Sequence, residues 1–284
     1  LKSLNNINWF KVNNSYSYKL LLFFCCFFIL LTTTTGNLTA AALEEQDEYR
    51  ISRERYLKNF YLIPADTLGG IAEAEETLIK QNFLAGGFVF AGLAFDQLIR
   101  DYFQEEIYRG SSPFSRFLYN IGTIEYAAPG FVLLYLSSRL AEDIYLENTL
   151  LYSAQSLIIT AIITEVVKNI VRRERPRYSS EDHLVRGEGD SFFSGHASAA
   201  WAVLTVVAER YSELKIPAYS LAGAVSLARI YEDAHWFTDV LAGSLVGYGI
   251  ARITGEYYQK DKSGISLRPL VETSRVGFLL TAEF

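Results

Sequence analysis

The chain has 284 residues, half of them hydrophobic and 20% charged, with 26 basic residues against 32 acidic ones. A net charge of −6 excludes a general electrostatic affinity for nucleic acid or anionic lipid, so any anion site has to be a local basic cluster. The length suits one large domain with a sizeable core, or a small membrane protein.

Residues 1–42 read as an export signal. Lys2, Lys11 and Lys19 are its only charges, and the apolar run Leu20 to Leu31, 12 residues long, follows them. Four threonines and then Ala40-Ala41-Ala42 supply a small-x-small cleavage pattern. The run is short of the ~20 residues that span a bilayer, which favours cleavage over a retained anchor. Loss of the three lysines would leave 23 basic against 32 acidic groups, net −9, and would take both Cys25 and Cys26 with it. The expectation is a disulfide-free protein exported to an oxidising compartment, a bacterial periplasm.

Residues 43–82 are charged and helical in pattern, with a break expected at Gly69-Gly70. From 83 onward apolar helical stretches alternate with short polar connections, and helices are expected near 83–104, 112–120, 125–142, 147–174, 195–211, 214–231 and 236–258. No strand-like alternation occurs before residue 265, so the body at 83–258 is expected to be an all-α helical bundle. The tail at 259–284 reads as a short β-hairpin turning at Glu272–Arg275. The apolar runs Phe83–Phe95, Ile216–Ala228 and Val240–Ala251 are 12 or 13 residues long, short for a span. Only Asn148–Thr164 and Ser191–Ala208 come closer, which favours a soluble or peripherally attached bundle.

Three segments carry chemistry. In Lys168-Asn-Ile-Val-Arg-Arg-Glu-Arg175-Pro176, Lys168 and Arg175 are seven apart, which on a helix puts them on one face with Arg172 between. Pro176 disfavours helix at Arg175 and so sets its guanidinium beside a loop. An ammonium and a guanidinium together suit the oxygens of a phosphate, although a basic helix end has the same look. In Ser191-Phe-Phe-Ser194-Gly195-His196, Ser194 stands at an N-cap position and Gly195 allows close backbone approach. Free N–H groups at a helix start attract anions, and His196 could give a proton there. In the third segment Arg229 precedes His235 and Asp239, which are four apart and expected to share a helix face. Asp239 could take the Nδ1 proton of His235 and leave Nε2 free to attack. The loop Arg177–Asp190, with His183 in it, has the length and charge of a solvated loop or a lid over the site.

These residues resemble the signature of the phosphatidic acid phosphatase type 2 / vanadium haloperoxidase superfamily: K-x6-R-P, P-S-G-H and S-R-x5-H-x3-D. Lys168 with Arg175-Pro176, Ser194-Gly195-His196, and Arg229, His235 and Asp239 match it in order and spacing. Phe193 replaces the usual proline and Ala228 the usual serine. The resemblance implies the acid phosphatase/haloperoxidase bundle and a metal-independent, cofactor-free phosphatase. In it His235 attacks phosphorus and becomes a phosphohistidine, Asp239 orients it, and His196 protonates the leaving oxygen. Lys168, Arg175, Arg229 and the Ser194/Gly195 backbone would hold the equatorial oxygens, where most catalysis of such a transfer lies. The implied substrate is a phosphorylated lipid, such as phosphatidate, a prenyl pyrophosphate or a lipid A phosphate, or else a small phosphomonoester. Three other readings are weighed against it. A vanadate-dependent haloperoxidase would be expected in a longer chain. A metal site at His196, His235 and Asp239 would sit among cations that repel a dication. A non-catalytic envelope scaffold would have no use for buried unpaired cations.

Overall fold

A computed structural model of the chain describes residues 50–72, 86–87, 89–120, 124–179, 189–260, 265–272 and 275–282. The export signal expected at 1–42 and His183 of the loop lie outside the described residues.

Eight helices carry the described body. They are α1 (Arg53–Ala72), α2 (Asp96–Tyr102), α3 (Pro113–Asn120), α4 (Ile124–Leu140), α5 (Ile144–Val171), α6 (Gly195–Arg210), α7 (Lys215–Tyr231) and α8 (Phe237–Lys260). The expected break at Gly69-Gly70 does not occur, because α1 continues through it to Ala72. A 3₁₀ turn at Leu93–Phe95 leads into α2, which widens into a π turn at Phe103–Ile107. Local chemistry marks the starts. Ser112 and Ser115 exchange side chain-to-backbone bonds of 2.9 and 3.0 Å around Pro113, so the first turn of α3 is capped and its φ preset. Asp143 caps α5 by accepting from the Leu146 N–H at 2.9 Å.

Helix α6 is the centre of the bundle, packed against α5, α7 and α8. It can be central because its inward positions are small or hydroxylated, Ala197, Ser198, Ala202 and Thr205. Helix α8 answers with glycines. A methyl on Gly247 would stand 2.1 Å from the Ser198 carbonyl oxygen, and one on Gly243 2.6 Å from that of Ser194. The two backbones therefore touch at a distance that no larger residue permits. Helix α1 belongs to the same body. Ile51 and Ile63 pack with Tyr152, Ile159, Val206, Ala251 and Tyr258, and buried Glu147 is gripped by Arg50 at 2.7 Å and Arg139 at 2.8 Å.

The stretch Ile144–Tyr178 is the one among the described residues long and apolar enough to cross a membrane, and less than half of its most apolar window is buried. Ile158, Ile162, Val166 and Ile170 of α5, spaced by four, are exposed, as are Val132, Leu133 and Leu136 of α4.

Candidate active site

The site forms where three chain reversals meet at one end of the bundle. Helix α5 stops at Val171 because Arg172 turns left-handed, with φ 52° and ψ 41°. Arg175 is then extended, at φ −77° and ψ 148°, as the residue before a proline should be. Lys168 and Arg175 consequently do not share a helix face, contrary to the spacing argument; Lys168 is in the last turn of α5 and Arg175 beyond it. The second reversal runs beside the first, since the Ser191 N–H donates to the Arg173 carbonyl at 2.9 Å. Only glycine fits at 189, where a Cβ would lie 2.2 Å from that same carbonyl oxygen. Ser194 is the N-cap of α6, and its own N–H donates to the Asp239 carbonyl at 2.9 Å, which ties α6 to the first turn of α8. The third reversal closes α7, where the Ala234 N–H bonds the Arg229 carbonyl at 3.0 Å and so sets Arg229 beside His235.

His235 lies in the turn before α8 and not on its face as expected, because α8 begins at Phe237. Its Nδ1 is 3.0 Å from the Ser191 carbonyl oxygen. A carbonyl can only accept, so Nδ1 carries the proton and Nε2 keeps its lone pair. Asp239, expected to make this bond, stands 3.7 Å from Nδ1 and acts on the ring as a charge. The two Asp239 oxygens are filled from elsewhere. Oδ1 accepts from Arg173 at 2.7 Å, and Oδ2 accepts from the Ser191 hydroxyl and from the Trp236 N–H at 3.0 Å. Burial would raise the Asp239 pKa, yet the charges of His235 and Arg173 and the Ser191 hydroxyl hold it below its ordinary value. His235 is pushed down to about 4 by burial, with Arg229 and Arg175 adding to the fall and Asp239 opposing it. The ring is therefore neutral and nucleophilic throughout the neutral range.

His196 opens the first turn of α6 and stacks on Tyr119, with ring centroids 6.1 Å apart. Its Nε2 is buried without a hydrogen-bond partner. Burial, then the charges of Arg229, His235, Lys168 and Arg175, hold its pKa down at about 3. Arg229 is 1% exposed; its Nη1 donates to the Tyr119 carbonyl at 2.9 Å, its guanidinium carbon lies 3.6 Å from the Tyr119 ring centre, and its Nε has no partner. No carboxylate pairs with it among the described residues, a costly state for a buried cation unless an anion arrives. Lys168 comes within 3.6 Å of where a Gly195 side chain would start. Arg175 is held by Asp190 through two bonds of 2.8 Å each, the geometry a phosphate would take. The hydrogen bond from Arg175 first, then nearby Lys168 and His235, hold Asp190 below the usual carboxylate range against some burial.

Of the two departures from the sequence signature, Phe193 is buried at 3% exposure and Ala228 packs with Leu118 and Val225. Sequence reasoning passed over Ser191, Arg173, Asp96, Thr238 and Tyr119. Ser191 and Arg173 lie inside segments already singled out, but nothing in their spacing separates them from their neighbours. No group of three or more His, Cys, Asp or Glu suited to a metal ion occurs among the described residues.

Comparison with known proteins gives one family match: the PAP2 superfamily, over residues 149–263. No curated protein matches the chain by sequence. Among solved structures, the first transmembrane PAP2 type phosphatidylglycerolphosphate phosphatase from Bacillus subtilis is 17% identical, with TM-score 0.45, covering 78% of this chain and 97% of that one. Aquifex aeolicus LpxE is 20% identical, with TM-score 0.41, covering 58% of this chain and 94% of that one.

Proposed function

We propose that this chain is a phosphatase of the PAP2 superfamily, whose model matches residues 149–263, and that it works without a metal, through a phosphohistidine on His235. The observation that carries the reading is the pair of buried groups that share Tyr119: Arg229, 3.6 Å from its ring centre with no carboxylate partner among the described residues, and His196, stacked on the same ring with Nε2 unpartnered. A phosphate monoester entering there meets Arg229 without a carboxylate, Lys168 beside Gly195, and Arg175 once Asp190 gives way.

In the first step Nε2 of His235 donates its lone pair to phosphorus, and the bond to the ester oxygen breaks. His196 delivers a proton to that oxygen. His196 is neutral by itself; the negative charge of the arriving substrate raises its pKa, so that it takes up a proton from solvent, and this is the proton it delivers. The imidazole of His235 gains positive charge as it is phosphorylated, and Asp239 at 3.7 Å stabilises it. Water then attacks phosphorus, His196 takes the water proton back, and His235 leaves with its lone pair. Lys168, Arg175, Arg229 and the N–H groups of the first turn of α6 hold the equatorial oxygens.

A lipid phosphate is the favoured substrate class. The exposed apolar row Ile158, Ile162, Val166 and Ile170 runs along α5 toward the end that bears Lys168, which suits a substrate with its chains in an apolar phase and its phosphate at the site. The same row supports attachment of the protein to a membrane on the far side of an export step, with residues 1–42 as the signal. Residues 43–82 are then an N-terminal helical segment, and residues 83–258 the catalytic domain. A short hairpin at 259–284 is the proposed form of the C-terminal segment, as its strand-like alternation around Glu272–Arg275 suggests.

The test is phosphate release from an aryl phosphate and from phosphatidate in mixed micelles, with and without chelator, beside His235→Ala. Hydrolysis that survives chelator and disappears in the variant is expected. Hydrolysis that persists in His235→Ala, or that chelator abolishes, would overturn the phosphohistidine reading.

A further inference from the structure

A second set of charges lies behind the first, wholly out of contact with solvent. Arg173 is 0% exposed, and so are Asp96 and Asp239. The Arg173 guanidinium lies between them: Nη2 donates to Asp96 Oδ2 at 2.7 Å, and Nη1 donates to Asp239 Oδ1 at 2.7 Å and to Thr238 Oγ1 at 2.8 Å. Asp96, from the start of α2, accepts the Thr238 N–H at 2.8 Å and the Thr238 hydroxyl. The Trp236 ring covers Arg173, whose guanidinium carbon is 5.1 Å from the ring centre. One cation thus grips two carboxylates, and the two carboxylates together hold the first turn of α8 through the N–H groups of Trp236 and Thr238.

From this geometry we infer that Arg173 and Asp96 are positioning residues for the reaction: they fix the carboxylate of Asp239 and the turn that carries His235, and they set the charge that the imidazole feels. The inference rests on the reading of His235 as nucleophile. Asp239 alone could rotate about its side-chain bonds. With Arg173 on one oxygen, and Ser191 and the Trp236 N–H on the other, it cannot turn without breaking a buried bond. Burial pushes the Asp96 carboxyl up, and its bonds to Thr238 and Arg173 pull it back; ionised against that guanidinium, it adds a second negative charge, so that the three groups carry net −1 beside a ring that becomes cationic on phosphorylation. A buried ion triad gives little net stability compared with apolar packing, which makes control of geometry and charge the better account of it.

Asp96→Asn keeps the shape and the acceptor for the Thr238 N–H but removes that charge. Thr238→Val removes only the hydroxyl linking Asp96 and Arg173, and Thr238→Ser restores it. In the full chain, Asp96→Asn is expected to lower kcat for an aryl phosphate about tenfold or more with KM nearly unchanged. The acidic limb of kcat/KM, set by His235, should move to lower pH by roughly half a unit, because the imidazolium loses an attractive charge. The other groups that act on His235, namely Asp239, Arg229, Arg175, His196 and Asp190, are unaltered in this variant. Thr238→Val should lose activity and Thr238→Ser should retain it. The ¹⁵N titration of the His235 ring, followed by NMR, should show the same downward shift and needs no turnover. Folded Asp96→Asn with normal kcat and an unmoved His235 titration would overturn the inference and leave a plain interhelical clamp. Should the wild-type protein hydrolyse nothing, the phosphatase reading fails, and the NMR titration alone decides the role of Arg173 and Asp96. Should Asp96→Asn not fold, the Thr238 pair decides: equal activity in Val and Ser variants would refute it.

Discussion

Alanine in place of Gly247 and of Gly249, two residues apart on α8, should act in opposite directions. A Cβ at 247 would meet the Ser198 carbonyl oxygen at 2.1 Å, the Ser198 carbonyl carbon at 2.9 Å and the Ala202 nitrogen at 3.0 Å, all of them backbone. At 249 nothing lies within 4 Å. The helix-propensity gain from glycine to alanine, ~1 kcal/mol, is common to both sites. Relief of the clash at 247 requires α6 and α8 to part by about 1.3 Å before contact becomes ordinary, if 3.4 Å is taken as the threshold. Overpacking of this kind costs ~1–3 kcal/mol, and a contact with rigid backbone belongs at the upper end. The two variants should therefore differ by ~3 kcal/mol, which for a chain of this size separates their midpoints by on the order of 10 °C in thermal melts followed by circular dichroism. Gly249→Ala should melt at or slightly above the wild-type temperature. A Gly247→Ala protein that melts with Gly249→Ala would refute the close crossing of α6 and α8. Gly243→Ala extends the argument to activity, because the backbone it would push is Ser194, the cap of α6.

Three further outcomes follow from the site. Asp190→Asn frees Arg175 from a partly exposed pair worth up to ~1 kcal/mol, so KM for an aryl phosphate should fall up to about fivefold with little change in stability; a higher KM would mean that Asp190 helps to hold the substrate. Burial lowers the His235 pKa from 6.5 to about 4. The unfolded chain therefore binds the extra proton first, and stability present above pH 6.5 is lost as pH falls toward 4, by about 3 kcal/mol. Urea unfolding at pH 7 and pH 4.5 measures this, and His235→Gln should remove about half of the difference, the rest belonging to His196, whose pKa is held at about 3. Ser191→Ala leaves the carbonyl that holds Nδ1 of His235 but frees one Asp239 oxygen. It should lower kcat without altering which ring nitrogen carries the proton, as ¹⁵N shifts at neutral pH would report.

The helical body was legible because its apolar positions recur at helical spacing, and every expected helix from 112 onward is present within a few residues. The residues proposed to hold phosphate were singled out by the motifs, but their local geometry was not legible. Whether Lys168 and Arg175 share a face depends on where α5 stops, and that was decided by a left-handed Arg172, a residue whose type gives no hint of it. The same stop sends Arg172 outward and Arg173 into the core, two identical side chains with opposite fates. Asp96 closed an apolar run and marked only its limit, since its partners lie 77 and 142 positions away. Tyr119 is one of 19 tyrosines, so neither its type nor its neighbours distinguish it. Asp239 was assigned to the Nδ1 proton because the i, i+4 spacing invites it. A main-chain carbonyl, which leaves no trace in a sequence, took its place.

Asp96 and Tyr119 both precede the span 149–263 in which the family match lies. The matched stretch is therefore not a self-sufficient module. Cut out and expressed by itself, it would leave Arg173 with one carboxylate in place of two, and Arg229 without the ring and carbonyl that cradle it. A hybrid protein, or one trimmed to its minimal folded unit, must carry the chain from Asp96 onward to keep both contacts. The boundary of recognisable likeness and the boundary of the packed unit around Arg173 and Arg229 are different places in this chain.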